Sequence, residues 1–235
     1  MRPETAEQLR RINRRFYSRF AAEFAATRRR PQPGFARLSR ALPSPCRTVL
    51  DLGCGEGCFG RYLRQLGCQF EYAGVDFAPA LLAKAQADLQ GTFLARDLSA
   101  AGALNGLGSF DLVLCLAALQ HIPGRDRRLA LLQAVRERLA PAGRVFLSCW
   151  QFTASPRQRR KILEWSAVGL ARAAVEPNDH LLSWGESGQA VRYVAMIDRA
   201  ELLALLQAAG LEAILDFRSD GREGDLNLYV VARRL

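Results

Sequence analysis

"VLDLGCGEG", Val49 to Gly57, joins a short apolar run to three glycines at alternate positions. The run is bounded by turn residues, so it reads as a buried strand. Gly53, Gly55 and Gly57 let the backbone approach a ligand closely where that strand ends and a helix begins. The spacing is GxGxG and differs from the GxGxxG of a dinucleotide site. Asp51 stands just before the turn, where a carboxylate repels phosphate and attracts a cation. An ammonium group beside a second cationic centre suits it. A pyrophosphate would want exposed amides at a free helix N-terminus.

Working outward, short apolar runs alternate with helical stretches. FEYAGVD (70–76), TFLARD (92–97), FDLVLCLA (110–117) and GRVFLSCW (143–150) read as further buried strands. Helices are expected over 57–66, 79–89 and 125–140. This alternation implies a parallel sheet covered by helices on both faces. After Trp150 the pattern lapses for roughly forty residues, longer than a plain connection should be, and helix and lid are expected there. A helix over 198–209 and strands over 212–218 and 226–233 resume the order. Upstream, Leu9, Ile12, Phe16, Phe20 and Phe24 are spaced three or four apart and predict an amphipathic helix over 4–29. Pro31 and Pro33 end it. A second short helix is expected over 35–42.

The strand ends carry the chemistry. Asp76 ends the second strand, where a carboxylate can take both ribose hydroxyls. Asp97 ends the third and can accept from an adenine amino group, while Phe77 and Leu98 can pack on the base. Cys54 and Leu116, at the glycine turn and the end of the fourth strand, join the expected set. An adenosine, no pyrophosphate and a charged amino acid tail together describe S-adenosylmethionine.

Composition sets limits. The chain has 235 residues, 49% hydrophobic and 24% charged, which fits a single domain with an appendage. No apolar run approaches the roughly 20 residues that span a bilayer. The N-terminus lacks the apolar stretch of a secretory signal. Six cysteines are scattered, as small core residues of a reducing, cytoplasmic compartment would be. Cys54 and Cys58 form CxxxC, but zinc needs two further ligands at similar spacing and no metal is expected. Residues 1–47 hold twelve arginines and three acids, so +9 of the net +10 lies in that N-terminal fifth. Such a concentration favours a polyanionic partner.

From Thr48 to Trp150 the chain resembles a class I S-adenosylmethionine-dependent methyltransferase. VLDLGCGEG, YAGVDFAPALLAKA, ARDL, FDLVLCLAALQHI and LAPAGRVFL carry the resemblance. It implies a Rossmann-like α/β fold: a seven-stranded, mostly parallel sheet, an N-terminal helical cap and a lid inserted after the fifth strand. The expected parts of this one domain are a basic cap (1–47), a cofactor-binding core (48–150), a lid (151–197) and a C-terminal helix and strands (198–235). The cofactor residues carried over are Asp51, Gly53, Gly55, Asp76, Asp97 and Leu98.

FYSRFAAEFAATRRRPQPGF (16–35) further resembles the N-terminal segment of tRNA methyltransferases that esterify a carboxymethyl group on the wobble uridine. QHIPGRDRRLALLQAVRERLAPAGR and DHLLSW…RYVAMIDRAELLALLQAAGL are similar to later segments of that family. It commonly has two histidines where this chain has Gln120 and His121, and a tyrosine and histidine at Val194 and Ala195. The resemblance implies tRNA as substrate and, from eukaryotic members, a small activator subunit. A carboxylate acceptor needs no general base but does need a cation, ideally a bidentate arginine. Arg28 is the first candidate and Arg192 the second. His121 can hydrogen-bond or polarise the acceptor, or act as a loop histidine. Tyr17 and Arg28 can equally serve the cofactor carboxylate. Arg10, Arg11, Arg14, Arg15, Arg29 and Arg30 would meet RNA phosphates. RQRRK (157–161) extends that patch or forms a solvated helix face. The alternatives are an O- or N-methyltransferase for a small carboxylate or polar metabolite, and a silent RNA-binding or partner subunit.

Overall fold

A computed structural model of the chain describes residues 1–26, 31–185, 188 and 190–235. Two helices come first, α1 (Pro3–Ala26) and α2 (Pro33–Ser39). The alternating core follows: β1 (Thr48–Leu52), α3 (Cys58–Gln65), β2 (Glu71–Asp76), α4 (Pro79–Asp88), β3 (Thr92–Ala95), β4 (Phe110–Leu116), α5 (Arg125–Arg138) and β5 (Leu139–Trp150). A one-turn helix α6 (Pro156–Arg159) leads to β6 (Ile162–Leu163), β7 (Asp179–Trp184) and β8 (Ala190–Ala195). The chain ends in α7 (Arg199–Ala208), β9 (Leu211–Ser219) and β10 (Asn227–Arg234).

Seven strands form the main sheet in the order β3-β2-β1-β4-β5-β10-β9. Only β10 runs against its neighbours. The expected sheet and cap are therefore present. β1 lies between β2 and β4, opposite Gly74 and Leu114 at Asp51. The chain winds one way from β1 to β3 and the other from β4 onward, so a crevice opens at the carboxyl ends of β1 and β4. Neighbours along β4 go to opposite faces. Leu112 and Leu114 pack with Phe59 and Leu63 of α3 and Phe35 of α2. Val113 and Cys115 pack with Leu132 of α5 and Leu205 of α7. Each fully buried leucine contributes about 1.5–3 kcal/mol, so both layers are needed to hold the crevice open.

The segment after Trp150, expected to hold helix and lid, contains the short α6 and 3-10 turns, and also a second, antiparallel sheet in the order β6-β7-β8 that was not expected. Leu181, Leu182, Tyr193 and Val194 are all buried, so this small sheet is covered on both faces. The first helix also kinks, leaving helical geometry at Phe20 (φ −116°, ψ 20°). Residues 27–29 of its expected span lie outside the described residues. No described helix is long and apolar enough to cross a membrane.

A buried polar network fixes the second sheet against the first. Arg128 of α5 pairs with Glu176 at 2.7 Å and donates to the Ile122 carbonyl at 3.0 Å. The Tyr193 hydroxyl donates to Asp179 at 2.7 Å. Breaking one member would leave a charge buried without compensation, which costs about 3–5 kcal/mol.

Candidate active site

The crevice is a cavity of about 670 Å³, roofed by α1 and the second sheet. That volume is in the range for small-molecule sites, roughly 300–1,000 Å³. Its two ends differ in charge.

The acidic end is built from the tips of β1, β2 and β3. All three glycines of the first turn have positive φ, at +69°, +55° and +72°. A Cβ on Gly55 would meet nothing within 4 Å, so the backbone there faces open space. A Cβ on Gly57 would lie 2.6 Å from Leu89. Gly57 is not among the residues that line the cavity; it lets α3 start close against Leu89, just past the end of α4. Gly53, Cys54 and Gly55 do line it.

Asp51 is buried and accepts from the Tyr72 hydroxyl at 2.7 Å. Burial pushes its carboxyl up to about 7, against the Tyr72 hydrogen bond and helped by nearby Asp76. A cationic ligand group would reverse that shift. Asp76 accepts from the Gly55 and Ala78 amides, both at 2.9 Å, one on each oxygen. Burial raises its pKa, opposed by the Ala78, Gly55 and Phe77 amides. The carboxylate at the strand end still faces the cavity. Asp97 is more fully engaged than expected. Its Oδ1 accepts from the Ser99 amide and hydroxyl at 2.8 and 2.6 Å, and its Oδ2 from Arg14 at 2.6 Å. Burial pushes Asp97 up, but the Ser99 and Arg14 contacts prevail and hold it below the usual carboxylate range. One Oδ2 lone pair remains for a ligand. Phe77, Leu98 and Leu116 supply the apolar wall.

The basic end is built from α1, the turn after β4, the end of β5 and the second sheet. Arg192 of β8 is 5% exposed, with its guanidinium 4.7 Å from the Trp150 ring centre and 5.5 Å from that of Phe16. Burial lowers its pKa, opposed by a hydrogen bond with Tyr17. The Tyr17 hydroxyl is 3.0 Å from His121 Nε2, and His121 Nδ1 is 3.1 Å from the Tyr193 carbonyl. Lys161 and Arg157 join this wall, and burial with repulsion from Arg157 and Arg192 lowers the Lys161 pKa.

Tyr17, His121 and Arg192 are thus brought together. Arg28, Arg29 and Arg30 lie outside the described residues. Of the arginines expected at RNA phosphates, Arg11, Arg14 and Arg15 are exposed on α1. Arg10 and Arg14 also line the cavity, paired with Glu7 and Asp97. The α1 face that carries them is the one that roofs the site. Sequence reading missed Asn13, Trp150, Trp184 and Asn227, all of which line the cavity. Only Asn13 had a signal, as a polar residue between the apolar Leu9, Ile12 and Phe16. Among the described residues, no group of three or more His, Cys, Asp or Glu could hold a metal ion.

Residues 6–215 match the family model described as "Methyltransferase domain". This chain belongs to that family. The methyltransferase domain is 31% identical over 179 residues to a ubiquinone biosynthesis O-methyltransferase of Xanthomonas axonopodis pv. citri, covering 74% of this chain and 66% of the relative. It therefore spans about two thirds of that relative's length. It is 28% identical over 155 residues to tRNA (carboxymethyluridine(34)-5-O)-methyltransferase ALKBH8 of Macaca fascicularis, covering 63% of this chain and 22% of that protein. Among solved structures, a SAM-dependent methyltransferase from Methanosarcina mazei superposes with a TM-score of 0.66 at 19% identity, covering 84% of this chain and 97% of that one. SAM-bound CalS10 from Micromonospora echinaspora, an amino pentose methyltransferase, gives 0.60 at 22% identity, covering 90% and 95%. These structural likenesses carry the fold.

Proposed function

We propose that this methyltransferase domain takes S-adenosylmethionine at the acidic end and passes its methyl group to an oxygen of a small anionic acceptor at the basic end. The observation that carries the reading is the gathering of Arg157, Lys161 and Arg192 on one wall of a cavity whose other end holds Asp51, Asp76 and Asp97. The cofactor fits the donor set. Asp51 suits an ammonium, Asp76 two ribose hydroxyls, and Phe77 with Leu98 a base. Bound there, the cofactor supplies a methyl carbon already activated by its sulfonium for in-line displacement. The chain's own residues hold the two ends apart, exclude water and orient the acceptor. Arg192 can place an anion with a charge-assisted hydrogen bond, and Trp150 shields it from solvent. The name of the Xanthomonas relative, an O-methyltransferase, supports oxygen as acceptor.

A second reading keeps the same chemistry on a larger substrate, the carboxymethyl group of a wobble uridine in tRNA. The exposed Arg11 and Arg15 and the ALKBH8 relative favour it. A small activator subunit belongs with this reading. The test is to incubate the protein with methyl-labelled cofactor and, separately, a small-metabolite pool and a tRNA pool. Label in the small-molecule fraction is expected. Label confined to tRNA would overturn the first reading in favour of the second.

A further inference from the structure

We propose that Gln120 binds the methyl acceptor: its side-chain amide donates to an oxygen of that molecule and selects acceptors that present a carbonyl or carboxylate oxygen there. This role rests on the methyltransferase reading and deepens it by naming a residue that chooses among acceptors.

Local structure puts the amide in place. β4 pairs with β5 as far as Leu116, opposite Ser148. Its backbone then leaves the sheet at Ala117, whose φ of +54° lies in the left-handed region. β5 runs on to Trp150 with β10 still beside it, Asn227 standing opposite Trp150. The Gln151 amide points toward β10 and donates to the Leu226 carbonyl at 2.7 Å. Successive amides along a strand alternate, so the Trp150 amide points the other way, past the end of β4. A buried backbone donor needs a partner, and Gln120 Oε1 accepts from it at 2.6 Å. A backbone N–H can only donate, so the bonded atom is the oxygen and the lie of the side chain is fixed.

The other half of the amide is left for a ligand. Gln120 is 2% exposed and lines the cavity. Its Nε2 bonds to no described residue, yet it is not sealed in the interior. The surface it keeps is therefore cavity wall. A side chain fixed at one atom and almost wholly buried gives up little freedom when it binds. Its place on the chain tells what it meets. Leu116 belongs to the acidic end and His121 to the basic end, and Gln120 lies on the turn that joins them. It is bonded to Trp150, whose ring lies under the Arg192 guanidinium. An acceptor whose anionic group is drawn to Arg157, Lys161 and Arg192, with its reacting atom turned to the cofactor, passes this amide. An N–H₂ group pairs only with lone pairs, so an acceptor presenting an ammonium or N–H there leaves two donors face to face. Unpaired buried donors cost a factor of about 10 to 100.

The first measurement is S-adenosylhomocysteine binding by calorimetry. No binding removes the methyltransferase reading, and the role of Gln120 falls with it. Given binding, acetate and methylammonium are titrated separately into the complex while side-chain amides are followed by nitrogen NMR. The Gln120 signals are assigned by their loss in Gln120→Met. Acetate should shift them and methylammonium should not. A response to both, or none to acetate, overturns the role and leaves the methyltransferase reading standing. Two variants then separate binding from tethering. Gln120→Glu keeps an oxygen for the Trp150 amide and replaces the N–H₂ group by a second oxygen, whereas Gln120→Met removes both. At about pH 9, well above the carboxylate range, Gln120→Glu should lower kcat/KM about ten- to a hundredfold, carried by KM. The substrate is whichever pool takes labelled methyl, and S-adenosylhomocysteine affinity should stay within about twofold of the parent. If Gln120→Glu matches the parent while Gln120→Met loses activity, Gln120 only tethers Trp150 and the proposed role is wrong. A loss of S-adenosylhomocysteine affinity as large as the loss in kcat/KM would place Gln120 at the cofactor and overturn it equally.

Discussion

The two ends of the cavity are assembled in different ways. At the acidic end the contacts are short-range along the chain or between adjacent strands, except that Arg14 of α1 reaches Asp97 across 83 residues. Asp97 is held by Ser99, and Asp76 by Ala78 and by Gly55 on the neighbouring strand's turn. At the basic end the partners are far apart in sequence. Tyr17 meets His121 across 104 residues, and His121 meets Tyr193 across 72. Most of the cofactor end is thus fixed once the parallel sheet forms, with Arg14 of α1 added to Asp97, while the acceptor end exists only when α1 and the second sheet dock. A donor site can then stay constant while the acceptor end varies with the segments laid over it.

Breaking the basic end should have the largest effect. Arg192→Met keeps an apolar stem under Trp150 and removes the charge. Loss of a preorganised charge-assisted donor is worth about 10²–10³ in turnover. Transfer of labelled methyl to whichever pool takes it should fall by that factor, with S-adenosylhomocysteine affinity within about twofold of the parent. An equal loss of affinity would mean that Arg192 serves the cofactor and that the two ends are not separate.

Breaking the acidic end comes next. Asp76→Ala should weaken S-adenosylhomocysteine binding by about ten- to a hundredfold, since hydrogen bonds to a charged group contribute about 1.5–3 kcal/mol. Calorimetry reads it directly. Unchanged affinity would remove Asp76 from the cofactor site.

The same contrast explains what the sequence made legible. β2 and β4 lie within a residue of the expected 70–76 and 110–117, because buried strands of a parallel sheet are unbroken apolar runs between turn residues. With the strand ends placed, the glycine turn and the three aspartates followed. The second sheet was missed because β7 buries the consecutive Leu181 and Leu182, which erases the alternation that marks a half-buried strand. With β7 and β8 unplaced, Arg192 could be weighed as a residue but not set beside Tyr17. Gly57 carries a second requirement that its place in the motif does not show: its φ of +72° and the Leu89 side chain just past α4 both favour a glycine there.

A smaller effect separates the charged from the neutral form of the acidic end. Asp51 titrates at 3.8 unfolded and at about 7 buried in the unliganded protein. The folded form therefore holds the proton more tightly, and this group's contribution to stability declines as pH rises from 3.8 to about 7. An ammonium-bearing ligand requires the ionised carboxylate, so its binding runs the other way. Affinity for S-adenosylhomocysteine should drop about tenfold per pH unit below about 7, and Asp51→Asn should flatten that profile. A parent profile flat from pH 8 to pH 5.5 would show that the ammonium does not contact Asp51.

The smallest expected effect concerns the outer surface of α1, where the two substrate readings part. Arg10 and Arg14 pair with Glu7 and Asp97 and line the cavity, so although Arg14 is also exposed, Arg11 and Arg15 are the two of that quartet that line no part of it. Exposed side chains that touch no part of the cavity should not influence a small acceptor. Changing both to alanine should leave transfer to small molecules within about twofold of the parent, at every salt concentration. A tRNA acceptor predicts otherwise. Each phosphate contact adds roughly one unit to the salt slope, so the double variant's slope for tRNA methylation would be shallower by about two. The decisive comparison is methylation rate, not tRNA retention, because a chain with net charge +10 holds any polyanion to some degree. If tRNA takes the methyl group and the double variant loses that salt dependence, the basic end is the inner half of a longer RNA-binding track. If small molecules take it and the variant is silent, the cavity alone defines the substrate.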